Sequence, residues 1–244
     1  MDEHKVRLEI SELSKSYETK EGRFQAVEKI DLKVYDNEFL VLLGPGNCGK
    51  TVLLNMIAGL EQPTSGEIRL DGSVIQGSDR RIGMVFQKLA LMPWKTVMQN
   101  TEIGPKFRGV KKEERRKKAQ SYIDLVGLNG FEKAYPAQLS GGMKQRLLIA
   151  ATIIGNPNLL IFDEPTAGLD PKERVRVKKI MSDLAKDKIV IIATHIVPDI
   201  ENIANEIIIL KDGIIREKNT PEELIKKYAE NGNLEDVYMN IFGE

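Results

Sequence analysis

Short apolar runs closed by turn residues recur along the chain, at residues 30–34, 39–43, 67–70, 82–85, 159–161, 189–193 and 207–210. Runs of this length with these boundaries predict buried strands. Between several of them lie stretches with helical spacing, at 50–58, 141–154 and 172–186. Alternation of strand and helix predicts an α/β core around a mostly parallel sheet. Residues 96–155 carry no strand pattern and predict a helical lobe inserted into that core. Asp71-Gly72 and Lys211-Asp212-Gly213 predict hairpin turns. Thr220 as N-cap with Pro221 after it predicts a last helix over 222–228. The expected organisation is a core of 1–95 and 156–220, an inserted helical subdomain of 96–155, and a C-terminal helical tail of 221–244.

Composition narrows the function classes. Lys+Arg and Asp+Glu both number 36 among 244 residues, so no overall basic field speaks for nucleic acid, and none is expected as a partner. No apolar run approaches the roughly 20 residues that span a bilayer. Met1-Asp2-Glu3-His4-Lys5 lacks the apolar stretch of a signal peptide. The single cysteine, Cys48, allows no internal disulfide and fits a reducing compartment. The expectation is a cytoplasmic chain whose membrane role, if it has one, comes through a partner. His4 is assigned no role.

Gly44-Pro45-Gly46-Asn47-Cys48-Gly49-Lys50-Thr51 has the spacing G-x-x-x-x-G-K-T, after an apolar strand and ahead of a helical stretch that begins with Val52. Backbone N–H groups of such a turn converge on anionic oxygens at a helix N-terminus. Lys50 would reach the β- and γ-phosphates, and Thr51 would offer its hydroxyl to magnesium. Asn47 tolerates left-handed geometry better than most residues. Val52 offers a backbone N–H but no hydroxyl. Cys48, beside Lys50 and a helix N-terminus, is expected to favour thiolate.

Residues 159–162 form a continuous apolar run that ends in Asp163-Glu164-Pro165. A carboxylate at a strand's C-terminal end, paired with a phosphate loop, suits magnesium, so Asp163 is a candidate ligand. Glu164 is the candidate for polarising the attacking water. Ser140-Gly141-Gly142 precedes a helix, and its amides, hydroxyl and positive helix end make a second candidate anion site. One phosphate loop already surrounds most of a nucleotide, so this second site is free for the ATP of another chain.

Taken together, these residues resemble the ATP-binding-cassette transporter ATPases, across essentially the whole chain. Leu139-Ser140-Gly141-Gly142 matches that family's signature motif. The resemblance implies a P-loop NTPase fold: a RecA-like α/β core with an antiparallel β edge and an inserted helical subdomain. It implies that Tyr17 stacks on adenine, that Gln87 joins the magnesium sphere and senses the membrane subunit, and that Asp170, in Ala167-Gly168-Leu169-Asp170, crosses a dimer interface. It also implies that His195 contacts the γ-phosphate. Met143 stands where the family usually has glutamine, so a side-chain hydrogen bond is lost there.

The implied cofactors are ATP and Mg2+. The implied partners are a second ATPase subunit (the same chain or a paired one), integral membrane permease subunits and an extracellular solute-binding protein, with the chain peripheral on the inner face of the membrane. ATP binding closes the pair and hydrolysis opens it. Residues 92–97 and 135–140 are similar to importer ATPases of the nitrate, sulfonate and taurine type. Residues 163–174, 194–197 and the tail 233–238 are similar to drug, antibiotic or peptide exporter ATPases. The first set touches the membrane subunit, which favours import; export is the alternative. A soluble cassette ATPase outside transport is the alternative of another class. The apolar segment 89–94 is expected either to await a membrane subunit or to pack the lobe through Trp94. The basic segment 108–118 is expected to be a solvated helix face, with anionic lipid as the alternative contact.

Overall fold

The computed structural model describes residues 5–20, 22–88, 90–200, 202–230 and 232–243; His4 and Leu89 lie outside them. The described residues form two compact units: those up to Asp79 together with those from Leu184 onward, and Arg80–Asp183.

The first unit opens with two long antiparallel strands, β1 (Val6–Thr19) and β2 (Gly22–Tyr35), followed by β3 (Phe39–Leu43) and helix α1 (Lys50–Ile57). β4 (Ser65–Leu70) and β5 (Ser73–Val74) form a hairpin on β1, giving the antiparallel order β2-β1-β4-β5. Asp71 (φ +52°) and Gly72 (φ +77°) make its turn, the pairing of positive dihedrals that a type I′ hairpin requires. The second unit holds β6 (Ile82–Val85), short helices α2 (Val97–Thr101) and α3 (Ile103–Phe107), α4 (Lys112–Leu125) and α5 (Gly141–Ile153). β7 (Leu159–Asp163) follows and runs parallel to β6, and α6 (Pro171–Ala185) leads out of the unit. The first unit then resumes with β8 (Ile189–Thr194), the hairpin β9 (Glu206–Lys211) and β10 (Ile214–Asn219), and tail helices α7 (Pro221–Tyr228) and α8 (Leu234–Phe242).

In the first unit β3 lies between β8 and β9, parallel to both, with β10 antiparallel on β9. Every residue of β3, β7 and β8 is buried, as expected for strands covered on both faces. α2, α4 and α5 pack on one another, while residues 112–118 of α4 are mostly exposed, so that basic segment is a solvated helix face. Trp94 is 70 % exposed and does not pack the lobe.

β1 escapes the sequence pattern because it is not a regular strand. Its register against β2 shifts between Ile10 and Leu13, and Glu12 there has φ +46°. Such bulges break the alternation that betrays a half-buried strand.

A buried acid sits at the start of β3. The Glu38 carboxylate accepts from the Tyr35 N–H at 2.6 Å and lies 3.6 Å from Lys218 Nζ, which also reaches Glu206. Burial pushes the Glu38 carboxyl up to about 7; the Tyr35 N–H and Lys218 oppose this and Glu206 adds to it. The folded protein therefore keeps a proton that the unfolded chain releases near 4.5. This group's contribution to stability is complete below that value and is lost as pH rises through about 7. Glu38→Gln mimics the protonated acid. Between about pH 5 and pH 8 the wild-type melting temperature is expected to fall relative to the variant's. A difference in melting temperature that stays constant with pH would contradict this.

Candidate functional site

In the first unit, the phosphate-loop sequence leaves the C-terminal end of β3 and enters α1 through Gly49, whose φ is +103°. Asn47 adopts φ +62°, the left-handed region. A Cβ on Gly44 would lie 2.3 Å from the Leu210 carbonyl oxygen and 2.7 Å from Cys48 Sγ, so only glycine fits where the loop passes β9. Lys50 is 7 % exposed, and its ammonium donates to the carbonyl oxygens of Gly44 (2.7 Å) and Pro45 (2.8 Å). The loop's own backbone thus satisfies the buried cation. Gly46, Asn47 and Thr51 face outward, and Val52 is half-buried. The hairpin turn after β9 pins the loop, with Gly213 N–H donating to the Cys48 carbonyl oxygen at 3.0 Å. Nothing in the motif pointed to Leu210 or Gly213; only the sheet order brings them there.

Cys48 departs from expectation. Its thiol is buried, and burial pushes its pKa up against the opposing pull of Lys50, whose Nζ is 3.8 Å from Sγ. The neighbouring cation favours thiolate, but loss of water outweighs it.

β3 and β8 are paired neighbours, Leu43 with Thr194, so the phosphate loop and His195 leave adjacent strand ends. Thr194 Oγ1 accepts from Ile196 N–H at 3.0 Å and shapes the turn on which His195 is exposed. A pocket of about 360 Å³ lies between His195 and Glu235, Tyr238 and Met239 of α8. Tyr17 lies on β1, where its hydroxyl hydrogen-bonds Glu61 and Lys15 Nζ sits 5.1 Å from its ring centre. Burial, then the Glu61 carboxylate, raises the Tyr17 pKa to about 12. Directly across β2 is Phe24, 55 % exposed, an aromatic that sequence reasoning missed. Opposed residues share a sheet face, so Phe24 lies on the same face as Tyr17.

In the second unit, Val85 pairs with Phe162, so Gln87 and the Asp163-Glu164 pair also leave adjacent strand ends. Asp163 is buried and Gln87 is exposed. Glu164 has φ +49°, a left-handed backbone that costs a glutamate about 1–3 kcal/mol. Ser140 caps α5, its Oγ accepting from Met143 N–H at 3.2 Å, and Gly141 is exposed while Gly142 is buried. Asp170 caps α6 through the Glu173 N–H at 3.0 Å, a role its place before Pro171 could have disclosed. Arg146 and Glu173, also unforeseen, form a buried ion pair at 3.1 Å.

Two strand-end pairs thus bring candidate residues together: a phosphate-loop sequence with a histidine in one unit, and two acids with an amide in the other. The family model described as "ABC transporter" matches residues 27–167. An uncharacterized ABC transporter ATP-binding protein of Methanocaldococcus jannaschii is 42 % identical over 220 residues, 88 % of this chain and 82 % of that protein. The nitrate import ATP-binding protein of Synechocystis is 41 % identical over 179 residues, 73 % of this chain and 67 % of its own. A dimeric ATP-binding cassette, solved in a post-hydrolysis state with ADP and phosphate, superposes with a TM-score of 0.81. That pair shares 31 % identity over 87 % of this chain and 98 % of the other. The chain therefore has the P-loop NTPase fold and belongs to the ABC transporter family as an ATP-binding subunit that hydrolyses ATP.

Proposed function

We propose that this ATPase drives import of a small anion of the nitrate, sulfonate or taurine type, working as one of two ATPase subunits beneath membrane permease subunits. The observation that carries nucleotide binding is the Lys50 ammonium, held ready inside its loop by two carbonyl oxygens. On binding ATP these contacts are exchanged for phosphate oxygens, while the N–H groups of residues 46–52 take the remaining phosphate oxygens. Tyr17, with Phe24 beside it, stacks on the adenine.

The Thr51 hydroxyl, Gln87 amide and Asp163 carboxylate are hard oxygen donors, the set that suits Mg2+. Among the described residues no group of three or more His, Cys, Asp or Glu side chains could hold a metal, which fits an ion that arrives with the nucleotide. When bound, Mg2+ neutralises charge on the β- and γ-phosphates. Glu164 orients the attacking water and accepts its proton, and His195 hydrogen-bonds the γ-phosphate. Ser140, Gly141 and Gly142 close on the nucleotide of the paired subunit, with Asp170 at the seam. A dimeric solved relative supports this pairing.

Docking on a permease is supported by Trp94. The buried Asn100 accepts from Met92 N–H and donates to the carbonyl oxygens of Met92, Lys95 and Thr96, bracing the turn on which Trp94 is exposed. An exposed large apolar side chain on a braced turn fits a partner surface. No helix among the described residues is long and apolar enough to cross a membrane, which supports a peripheral place on its inner face. The import direction rests on the name of the nitrate relative, and import implies an extracellular solute-binding protein.

Glu164→Gln is expected to bind ATP, to lose about 100-fold or more in turnover and to accumulate as an ATP-dependent dimer. Turnover at the wild-type rate removes Glu164 from its assigned role; size in solution with and without ATP reads the pairing. Because the Cys48 thiol is buried and protonated, alkylation at neutral pH is expected to be slower than that of an exposed cysteine. It should accelerate at higher pH, inactivate the enzyme and be slowed further by MgATP. Rapid modification at pH 7, or full activity after complete modification of Cys48, contradicts this.

A further inference from the structure

The pairing just proposed gives the entry of α5 and the loop 167–170 a shared task, and one residue touches both, the first through its side chain and the second through its backbone N–H. On that reading, we propose that Glu173 is a positioning residue that locks the Ser140–Gly142 helix entry to the Asp170 loop, so that both meet the partner subunit as one body.

Contacts within the second unit support this. A Cβ built on Gly142 would lie 2.4 Å from Glu173 Cγ and 2.5 Å from its Oε2, so the glutamate side chain rests on the backbone of the helix entry. Glycine at 142 therefore answers a packing demand from within the chain. Both carboxylate oxygens are held: Oε2 accepts from Arg146 Nε at 3.1 Å and Oε1 from the Arg176 guanidinium at 2.6 Å. The backbone N–H of Glu173 donates to Asp170 Oδ1 at 3.0 Å, joining this residue to the loop as well. Arg146 is itself anchored, donating to the carbonyl oxygens of Val126 at 2.6 Å and Gly127 at 2.9 Å, just past α4.

Arg146 is 5 % exposed and Glu173 8 %, so water cannot take the place of either. A first-turn glutamate ordinarily faces solvent and acts only on the helix dipole. Here its side chain points inward onto the helix entry, while its backbone N–H holds the Asp170 loop. A planar guanidinium on a carboxylate fixes distance and orientation together. Misplacing the Ser140–Gly142 amides by a fraction of an ångström would leave each chain able to bind ATP through its own Lys50 loop. It would weaken only the step that needs the partner's amides.

The test compares steady-state turnover and ATP affinity in Glu173→Gln, Glu173→Asp, Arg146→Lys and the double variant Arg146→Lys/Glu173→Gln, each checked for folding by thermal melt. The Gln and Lys variants are expected to lose about ten-fold or more in kcat. Affinity for a fluorescent ATP analogue, measured on the single chain, should stay unchanged. Glu173→Asp keeps the charge but is one methylene shorter, and should fall between. The double variant should be no worse than the poorer single, because both lose one contact. Wild-type kcat in folded single variants, a matching fall in ATP affinity, or additive losses each overturn the proposal. Whether the subunits pair is read separately. If wild-type turnover is linear in protein concentration and Glu164→Gln stays monomeric with ATP, the paired reading fails and this proposal fails with it. If turnover is cooperative but Glu173→Gln is unimpaired, only this proposal fails.

Discussion

A buried lysine ammonium needs partners, and the way Lys50 finds them governs the nucleotide half of the molecule. Its charge is satisfied by the carbonyl oxygens of Gly44 and Pro45, which requires the loop to fold back over its own helix entry. That path brings the loop against β9, where only glycine at 44 avoids the Leu210 carbonyl. The turn after β9 returns a hydrogen bond to Cys48. So the phosphate loop is a product of the β3–β9 pairing as much as of its own sequence. The same confinement explains why the Cys48 thiol stays protonated despite a cation within 4 Å: the loop that shields the lysine shields the sulfur too.

Parallel strands place loops with chemistry at their C-terminal ends. Both units obey this, through Leu43 beside Thr194 in one and Val85 beside Phe162 in the other. In each, the paired strands fix where the candidate side chains begin. The flanking turns then aim them: Thr194 caps the turn after β8, and Glu164 takes a left-handed backbone after β7. Backbone strain next to a rigid strand end holds a side chain in one direction, at a cost the surrounding burial of β7 can carry.

What was legible in the sequence follows from how local each signal is. β3, β6 and the hairpin turns at 71–72 and 212–213 were readable, because apolar runs and Asp-Gly pairs act through neighbours in the chain. The phosphate loop and the Asp163-Glu164 pair were readable for the same reason. β1 was not, since its bulge at Glu12 hides the alternation, and Phe24 was not, since its significance comes from lying opposite Tyr17. Leu210, Gly213, Arg146 and Glu173 act across 27 to 166 positions or through backbone atoms, as in the Arg146–Glu173 contact and the Phe39 N–H to Asn205 bond that ties β3 to the start of β9. No local pattern carries such information. The raised thiol pKa was misjudged because charge is visible in a sequence and burial is not.

Position 143 shows how one departure from a family pattern is absorbed. Methionine there contributes only its backbone N–H, to the Ser140 hydroxyl. Ser140 as a cap satisfies one amide of the first turn. A buried carboxylate also lies against Gly142 and is itself held by two guanidiniums. A capping hydrogen bond and a buried ion pair thus meet at this helix entry, the first from Ser140 and the second through Glu173 and Arg146.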